Sequence, residues 1–310
     1  MIIGRTLAVF AVVCGLAPAA WGQVKVVASF SILADMAATI GQDRVAVRSI
    51  VGPEADAHVH QPTPADARAL KEADIVIVNG LGFEGWFDRL VRASGTKARI
   101  VVASEGVARL AGEPPEDDRS VKRFTRKVSK PAEKADDPHA WQDARNGALY
   151  VGNIVRALGQ VDPGNAEEYR RAGEAYVAAI MAADAEIREV VAKIPEAKRK
   201  VITSHEAFRY FGAAYGVEFL AVQGVSTEAE ATAKDIAKLV EQVRQSGVKA
   251  LFVENISDRR MIHQIAREAG GIVGPPLFSD ALSKPGGPAD GYLKMLRHNA
   301  AALAAGMAKN

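Results

Sequence analysis

The sequence predicts an α/β protein of two pseudo-symmetric lobes, each a mostly parallel sheet flanked by helices, joined by one long rigid helix. Three observations carry this. Strand-like and helix-like patterns alternate along the chain, which favours parallel strands covered on both faces. One strand–helix unit recurs: Lys25 to Gly41 (K-V-V-A-S, then a helix) and Lys200 to Gly216 (K-V-I-T-S, then a helix) each close on a glycine after a 16-residue offset. Between the two units, an Ala-, Glu- and Arg-rich run at 163–194 has no interior proline.

The elements follow in order. V-K-V-V-A-S at 24–29 reads as a buried strand, and S-I-L-A-D-M-A-A-T-I-G at 31–41 as a helix ending at Gly41. A strand at 45–51 follows, then a helix from Pro64 to Glu72. A-D-I-V-I-V-N-G (73–80) and A-R-I-V-V-A-S (98–104) are further strands. Residues 113–137 are polar and charged with little periodicity, and read as a mobile surface loop. The run at 163–194 begins at Pro163, carries Glu167 and Glu168 in its first turns and stops at Pro195. As one helix it would be ~48 Å long. Isolated and Ala-rich, it suits a strut between lobes better than a coiled coil. In the second half, T-A-K-D before a helix and then V-K-A-L-F-V-E-N (232–255) parallels T-P-A-D and A-D-I-V-I-V-N (63–79). The expected organisation is a leader at 1–22, an N-terminal lobe at 23–162, the linking helix at 163–194 and a C-terminal lobe at 195–310.

The 310 residues are 48% hydrophobic and 25% charged, as in globular proteins. A net charge of +2 points to neither nucleic acid nor a membrane surface as partner. The N-terminus stands apart: Arg5, an apolar stretch from Thr6 to Leu16, then A-P-A-A-W-G, small residues suited to cleavage near Gly22. The apolar stretch is too short to span a bilayer, and no later run reaches 18 apolar residues. A cleaved export signal and a soluble exported chain are expected. Cleavage removes Arg5 and no acid, so the charge falls to +1. Cys14 is the one cysteine and lies inside the leader, so the mature chain has no thiol for a disulfide or a metal. The alternative, a lipoprotein signal with Cys14 as the lipidated residue, finds a poor match in A-V-V-C-G.

Four short segments each hold a good metal ligand: D-A-H-V-H-Q-P-T-P-A-D (Asp56 to Asp66), D-P-H-A-W (Asp137 to Trp141), T-S-H-E-A-F (Thr203 to Phe208) and F-S-D-A-L (Phe278 to Leu282). Two fall in each half. His205 directly follows a strand, His58 lies in the loop after the strand at 45–51, and Asp280 follows the apolar stretch G-I-V-G-P-P-L-F. Open α/β sheets bind ligands at the carboxyl ends of their strands, so these positions suit a shared crevice, which His139 could also reach. Three imidazoles and one carboxylate make a set that suits zinc, copper or nickel, whereas a mainly carboxylate set would suit manganese, magnesium or calcium. Four protein ligands leave a tetrahedral ion no open position, which favours holding the metal over activating water. His263 and His298 sit on C-terminal helices among polar neighbours and read as surface residues. His58 and His60 are two apart and diverge in an extended loop, so only one can face the crevice.

Together the four segments resemble the metal-specific solute-binding proteins of ABC transporters, the zinc and manganese uptake family, in order and over essentially the whole mature chain. The first is similar to that family's D-P-H-x-Y-x-P-x-P-x-D. The ligand histidine there stands four residues before the first proline and eight before the aspartate, which here is His58 against Pro62 and Asp66. His60 takes the usual tyrosine position and Ala57 the usual proline position, which leaves His60 as the alternative or auxiliary ligand. The other segments place His139, His205 and Asp280 as ligands, with Glu206 and Glu230 as carboxylates supporting them from behind.

The resemblance implies a periplasmic, monomeric, non-enzymatic protein that captures Zn2+ and passes it to an ABC permease. Manganese is the alternative, and manganese members tend to carry a carboxylate where His205 stands. Residues 113–137 lack the histidine-rich tract of many zinc members, so zinc must arrive directly or from a periplasmic donor protein. With a rigid strut, release is expected to involve the loops carrying His139 and residues 223–230. An exported zinc hydrolase would need an open coordination position and a general base, and no H-E-x-x-H is present. A metal-bound surface adhesin would need an anchor that the cleaved chain does not carry.

Overall fold

A computed structural model describes residues 22–110, 136–228 and 232–310. Most of the leader, most of the charged loop and Glu230 lie outside these residues. The first sheet contains β1 (Val24–Phe30), β2 (Val45–Val51), β3 (Ile75–Val78) and β4 (Arg99–Val102), all parallel, in the order β2-β1-β3-β4. The second contains β5 (Lys200–His205), β6 (Glu218–Gln223), β7 (Ala250–Leu251) and β8 (Ile272–Val273), again parallel, in the order β6-β5-β7-β8. The two orders are the same, so the repeat read from Lys25 and Lys200 is a repeat of topology.

Helices α1 (Ser31–Gly41), α2 (Pro64–Glu72) and α3 (Phe87–Ser94) connect the strands of the first lobe. Helices α6 (Arg209–Tyr215), α7 (Ala233–Ser246) and α8 (Arg259–Ala269) connect those of the second. Local chemistry accounts for their ends. Thr63 caps α2 in a reciprocal box with Asp66, with Pro64 in the first turn. The two repeat glycines serve different needs. Gly216 takes φ 72° as the left-handed cap of α6. Gly41 has ordinary helical geometry, but a Cβ there would lie 2.2 Å from a Val45 methyl.

The linking helix α5 spans Ala166–Ala192, 27 residues or about 40 Å, a turn shorter than the sequence suggests. Pro163–Asn165 forms a separate 3-10 turn, because the Asp162 carboxylate draws in Asn165 Nδ2 and Tyr169 Oη, both at 2.7 Å. Nor is α5 isolated. It packs against α4 (Ala144–Val161), which periodicity had not singled out, and against α1 and the C-terminal α9 (Tyr292–Met307). Gly173 lets α4 approach closely: a Cβ would stand 2.3 Å from Val155. The main core runs through both lobes, from Phe30, Phe83 and Trp141 to Phe208, Phe252 and Leu303. A second, separate core of Ile202, Leu239, Val243, Ile262 and Ile265 lies beneath α7 and α8 alone. Among the described residues no helix is long and apolar enough to cross a membrane.

Candidate metal centre

The carboxyl ends of both sheets face the seam between lobes, and there the four candidate side chains meet. One donor atom from each of His58, His139, His205 and Asp280 lies within 4.8 Å of every other, and all four residues are buried. His58 Nε2 is 3.3 Å from His139 Nε2 and 3.3 Å from Asp280 Oδ2. His139 Nε2 is 3.4 Å from Asp280 Oδ1, and His205 Nε2 is 3.2 Å from Asp280 Oδ2.

Each histidine is turned inward by its own support. His205 is the last residue of β5. Glu254, just past β7, accepts hydrogen bonds from the backbone N–H groups of Ser204 and His205 through Oε1, both 2.9 Å, and its Oε2 lies 2.5 Å from His205 Nδ1. Asp137 Oδ1 accepts from the His139 backbone N–H at 2.9 Å and lies 2.8 Å from His139 Nδ1. Asp56 Oδ1 accepts from the His58 backbone N–H at 2.8 Å, and the His58 ring sits edge-on to Phe83. With Nδ1 of two rings facing carboxylates, Nε2 is the atom left for the centre, an arrangement common around bound metals.

The turn carrying Asp280 is tied to the turn carrying His139. The Ser279 carbonyl accepts from Trp141 Nε1 (2.9 Å) and Gln142 Nε2 (2.7 Å). These bonds cross the lobes and tie the His139 turn to the Asp280 turn.

Electrostatics at the centre favour positive charge. Three carboxylates (Asp280, Asp137 and Glu254) surround three imidazoles. Burial alone would lower the pKa of His139, but Asp280 and Asp137 outweigh it and push it up to about 9. Burial likewise opposes protonation of His205, and Glu254 and Asp280 raise it well above 6.5. Burial would raise the pKa of Asp280, yet His139 and His205 hold it well below 3.8. Both Asp280 oxygens and His205 Nε2 are buried without a hydrogen-bond partner, although they stand at ion-pair distance from each other. All three atoms belong to the cluster of four donors, where a bound cation would satisfy them.

His60 lies outside this cluster. It is half-buried, edge-on to Trp86, with Nε2 3.4 Å from Asp66 Oδ2. His263 is exposed on α8, and His298 on α9 contacts the Pro276 carbonyl. The backbone N–H of Glu206 bonds to the Gly224 carbonyl, and the carboxylate on His205 Nδ1 belongs to Glu254 instead. Sequence reading missed Glu254 and the supporting roles of Asp137 and Asp56. The signals were a charged residue ending the apolar run A-L-F-V-E, and the spacing Asp-x-His occurring twice.

Two parallel-sheet lobes closed over a buried three-imidazole, one-carboxylate centre define a metal substrate-binding protein, a binding component rather than an enzyme. Known proteins agree: residues 26–306 match the family described as zinc-uptake complex component A, periplasmic, and the chain belongs to that family. It is 33% identical to the iron ABC transporter substrate-binding lipoprotein MtsA of Streptococcus pyogenes over 320 aligned positions, covering 100% of this chain and 98% of that one. It is 34% identical to the manganese ABC transporter substrate-binding lipoprotein PsaA of Streptococcus mitis, covering 94% and 92%. Among solved structures, the periplasmic zinc-binding protein TroA of Treponema pallidum superposes with a TM-score of 0.81 at 28% identity, covering 92% and 99%. The manganese-bound periplasmic metal-binding protein of Candidatus Liberibacter asiaticus superposes with a TM-score of 0.78 at 27% identity, covering 92% and 100%.

Proposed function

We propose that this protein captures zinc outside the cytoplasmic membrane, on His58, His139, His205 and Asp280, and delivers it to the permease of an ABC transporter. One observation carries the choice of metal: neutral imidazole outnumbers carboxylate three to one among the donors, which suits zinc. Four contacts among the donors, through both Asp280 oxygens, run from 3.2 to 3.4 Å, and the whole set lies within 4.8 Å, as a single ion at the centre requires.

A second reading, manganese, is favoured by a different feature. Both Asp280 oxygens face histidines, Oδ1 towards His139 and Oδ2 towards His58 and His205, so the carboxylate can bind through both and make a five-coordinate site. MtsA and PsaA are named for iron and manganese.

Competition decides between them. The mature chain, stripped with chelator and dialysed against equal free zinc and manganese, is expected to return one zinc per chain by elemental analysis. A manganese-loaded product would overturn the assignment. The intact mass of the exported protein settles its attachment: cleavage near Gly22 removes Cys14, whereas lipidation makes Cys14 the first residue. The first outcome, a soluble periplasmic monomer supplied directly or by a donor protein, is the one proposed.

A further inference from the structure

The donors are sealed. His139, His205 and Asp280 have no exposed surface and His58 has 5%, so a bound ion cannot leave until something at the seam moves. Three of the four donors are held on the inside. The Ser279 carbonyl locks the His139 and Asp280 turns together, Glu254 holds His205, and the Phe278 backbone exchanges two hydrogen bonds with Asn299. His58 is the outermost donor.

The loop after β6 reaches the segment that carries His58. Its residues Gly224 to Glu228 are exposed or half-buried, and it joins β6, which packs on the smaller core through Leu220 and Val222 and on the shared core through Phe219, to α7, which packs on the smaller core. The loop crosses to the other lobe at a defined place. Thr227 Oγ1 donates to Asp56 Oδ2 at 2.6 Å, while Asp56 Oδ1 accepts from the His58 backbone N–H at 2.8 Å. Beside it, Glu228 Oε1 comes within 3.7 Å of where a Cβ on Gly85 would stand. A single carboxylate thus holds the outermost ligand with one oxygen and the opposing lobe with the other.

We infer that Asp56 and Thr227 form a latch across the lobes, and that its opening sets how fast bound metal leaves. This rests on the proposed capture of metal at the four donors. With the latch closed, the His58 backbone is fixed and the two lobes are tied beside it. When Thr227 parts from Asp56, the loop lifts, water reaches His58, and this ring is the first to leave the ion. The exposed ion pair between Lys284 and Glu54 spans the same seam at 3.1 Å, but solvent screens it and it contributes little.

The test is zinc release from the loaded mature chain into excess EDTA, followed by stopped flow with a zinc indicator. A hydrogen bond to a charged group is worth about tenfold or more in an equilibrium. Thr227→Val is therefore expected to release zinc about tenfold faster, still binding one zinc per chain and with unchanged metal-free melting. Thr227→Ser, which keeps the hydroxyl, and Lys284→Ala release at the wild-type rate. Asp56→Ala is faster still, and adding Thr227→Val to it changes nothing more, because Thr227 acts through Asp56. Wild-type release from Thr227→Val, or equal acceleration by Lys284→Ala, overturns the latch. A wild-type chain that binds no stoichiometric zinc fails earlier, at the capture reading.

Discussion

His58 and His60 stand two positions apart and end in different surroundings, one on the seam and one against Trp86 and Asp66. Ala57 to Val59 form a turn rather than the extended loop expected from the sequence, and Asp56, by holding the His58 backbone, selects which histidine turns inward. His58→Ala is expected to weaken zinc binding by more than about a hundredfold, since loss of a supporting partner alone costs about 10–100-fold. His60→Ala should cost less than about tenfold. Competition titration against a zinc chelator ranks them, and the reverse order would place the wrong histidine on the metal.

The pH dependence belongs to the same residues. His139 and His205 are raised above 6.5 in the metal-free cluster, so their ion pairing with Asp280 stabilises the fold fully below 6.5. That contribution is lost as pH rises through about 9. Asp280 is depressed, so its share is present above 3.8 and is lost only as pH falls below that. Metal displaces the histidine protons. Zinc affinity should therefore keep climbing from pH 6.5 to about 9, beyond the range of an ordinary histidine. The zinc-induced rise in Tm should grow over the same window. A calorimetric titration showing affinity level above pH 7 would contradict this.

At the scale of elements, the repeat is equal in topology and unequal in detail. Gly41 and Gly216 occupy matching places, yet one is demanded by crowding against Val45 and the other by a left-handed backbone. Gly41→Ala should destabilise by about 1–3 kcal/mol through overpacking. Gly216→Ala should cost about 1–2 kcal/mol through its φ, with only Arg199 nearby at 3.6 Å. Asparagine, which tolerates the left-handed region, should restore most of the loss at 216 and none at 41. Denaturant midpoints of the four variants check this, and parallel behaviour at the two sites would refute the distinction. The same inequality sets the donors. Each sheet offers the ends of its strands, but His139 and Asp280 are locked together through Ser279, while among the described residues the loop after β6 reaches the His58 segment through Asp56.

At the scale of the whole molecule, α5 is a strut braced by α4, α9 and α1, and the main core continues through both lobes. Large hinge opening would break that core. Scattering curves of the metal-free and zinc-loaded chain should give radii of gyration equal to within about 1 Å, set against the roughly 20 Å expected for a domain of this size. A clear expansion on metal removal would show that the lobes separate as rigid bodies.

Much of this architecture is written locally. Strands β1, β2 and β3 show as apolar runs, α2 as a helix opening at Pro64, and α5 as a long run between prolines. The paired halves show as repeated words, because strand–helix units obey short-range propensity and patterning. The candidate ligands were visible too, because four short segments resemble, in order, the ligand motifs of a metal-binding family. What lay beyond the sequence was every relation across distance. It could not show that Glu254 stands behind His205, 49 residues earlier, that Ser279 binds the turn after His139, or that Asp56 reaches Thr227 across 171 residues. Each of these is a hydrogen bond whose partners meet only after both sheets have formed and the lobes have closed. Local propensity therefore specified the lobes and named the donors, while tertiary packing chose which donors converge and what holds them there.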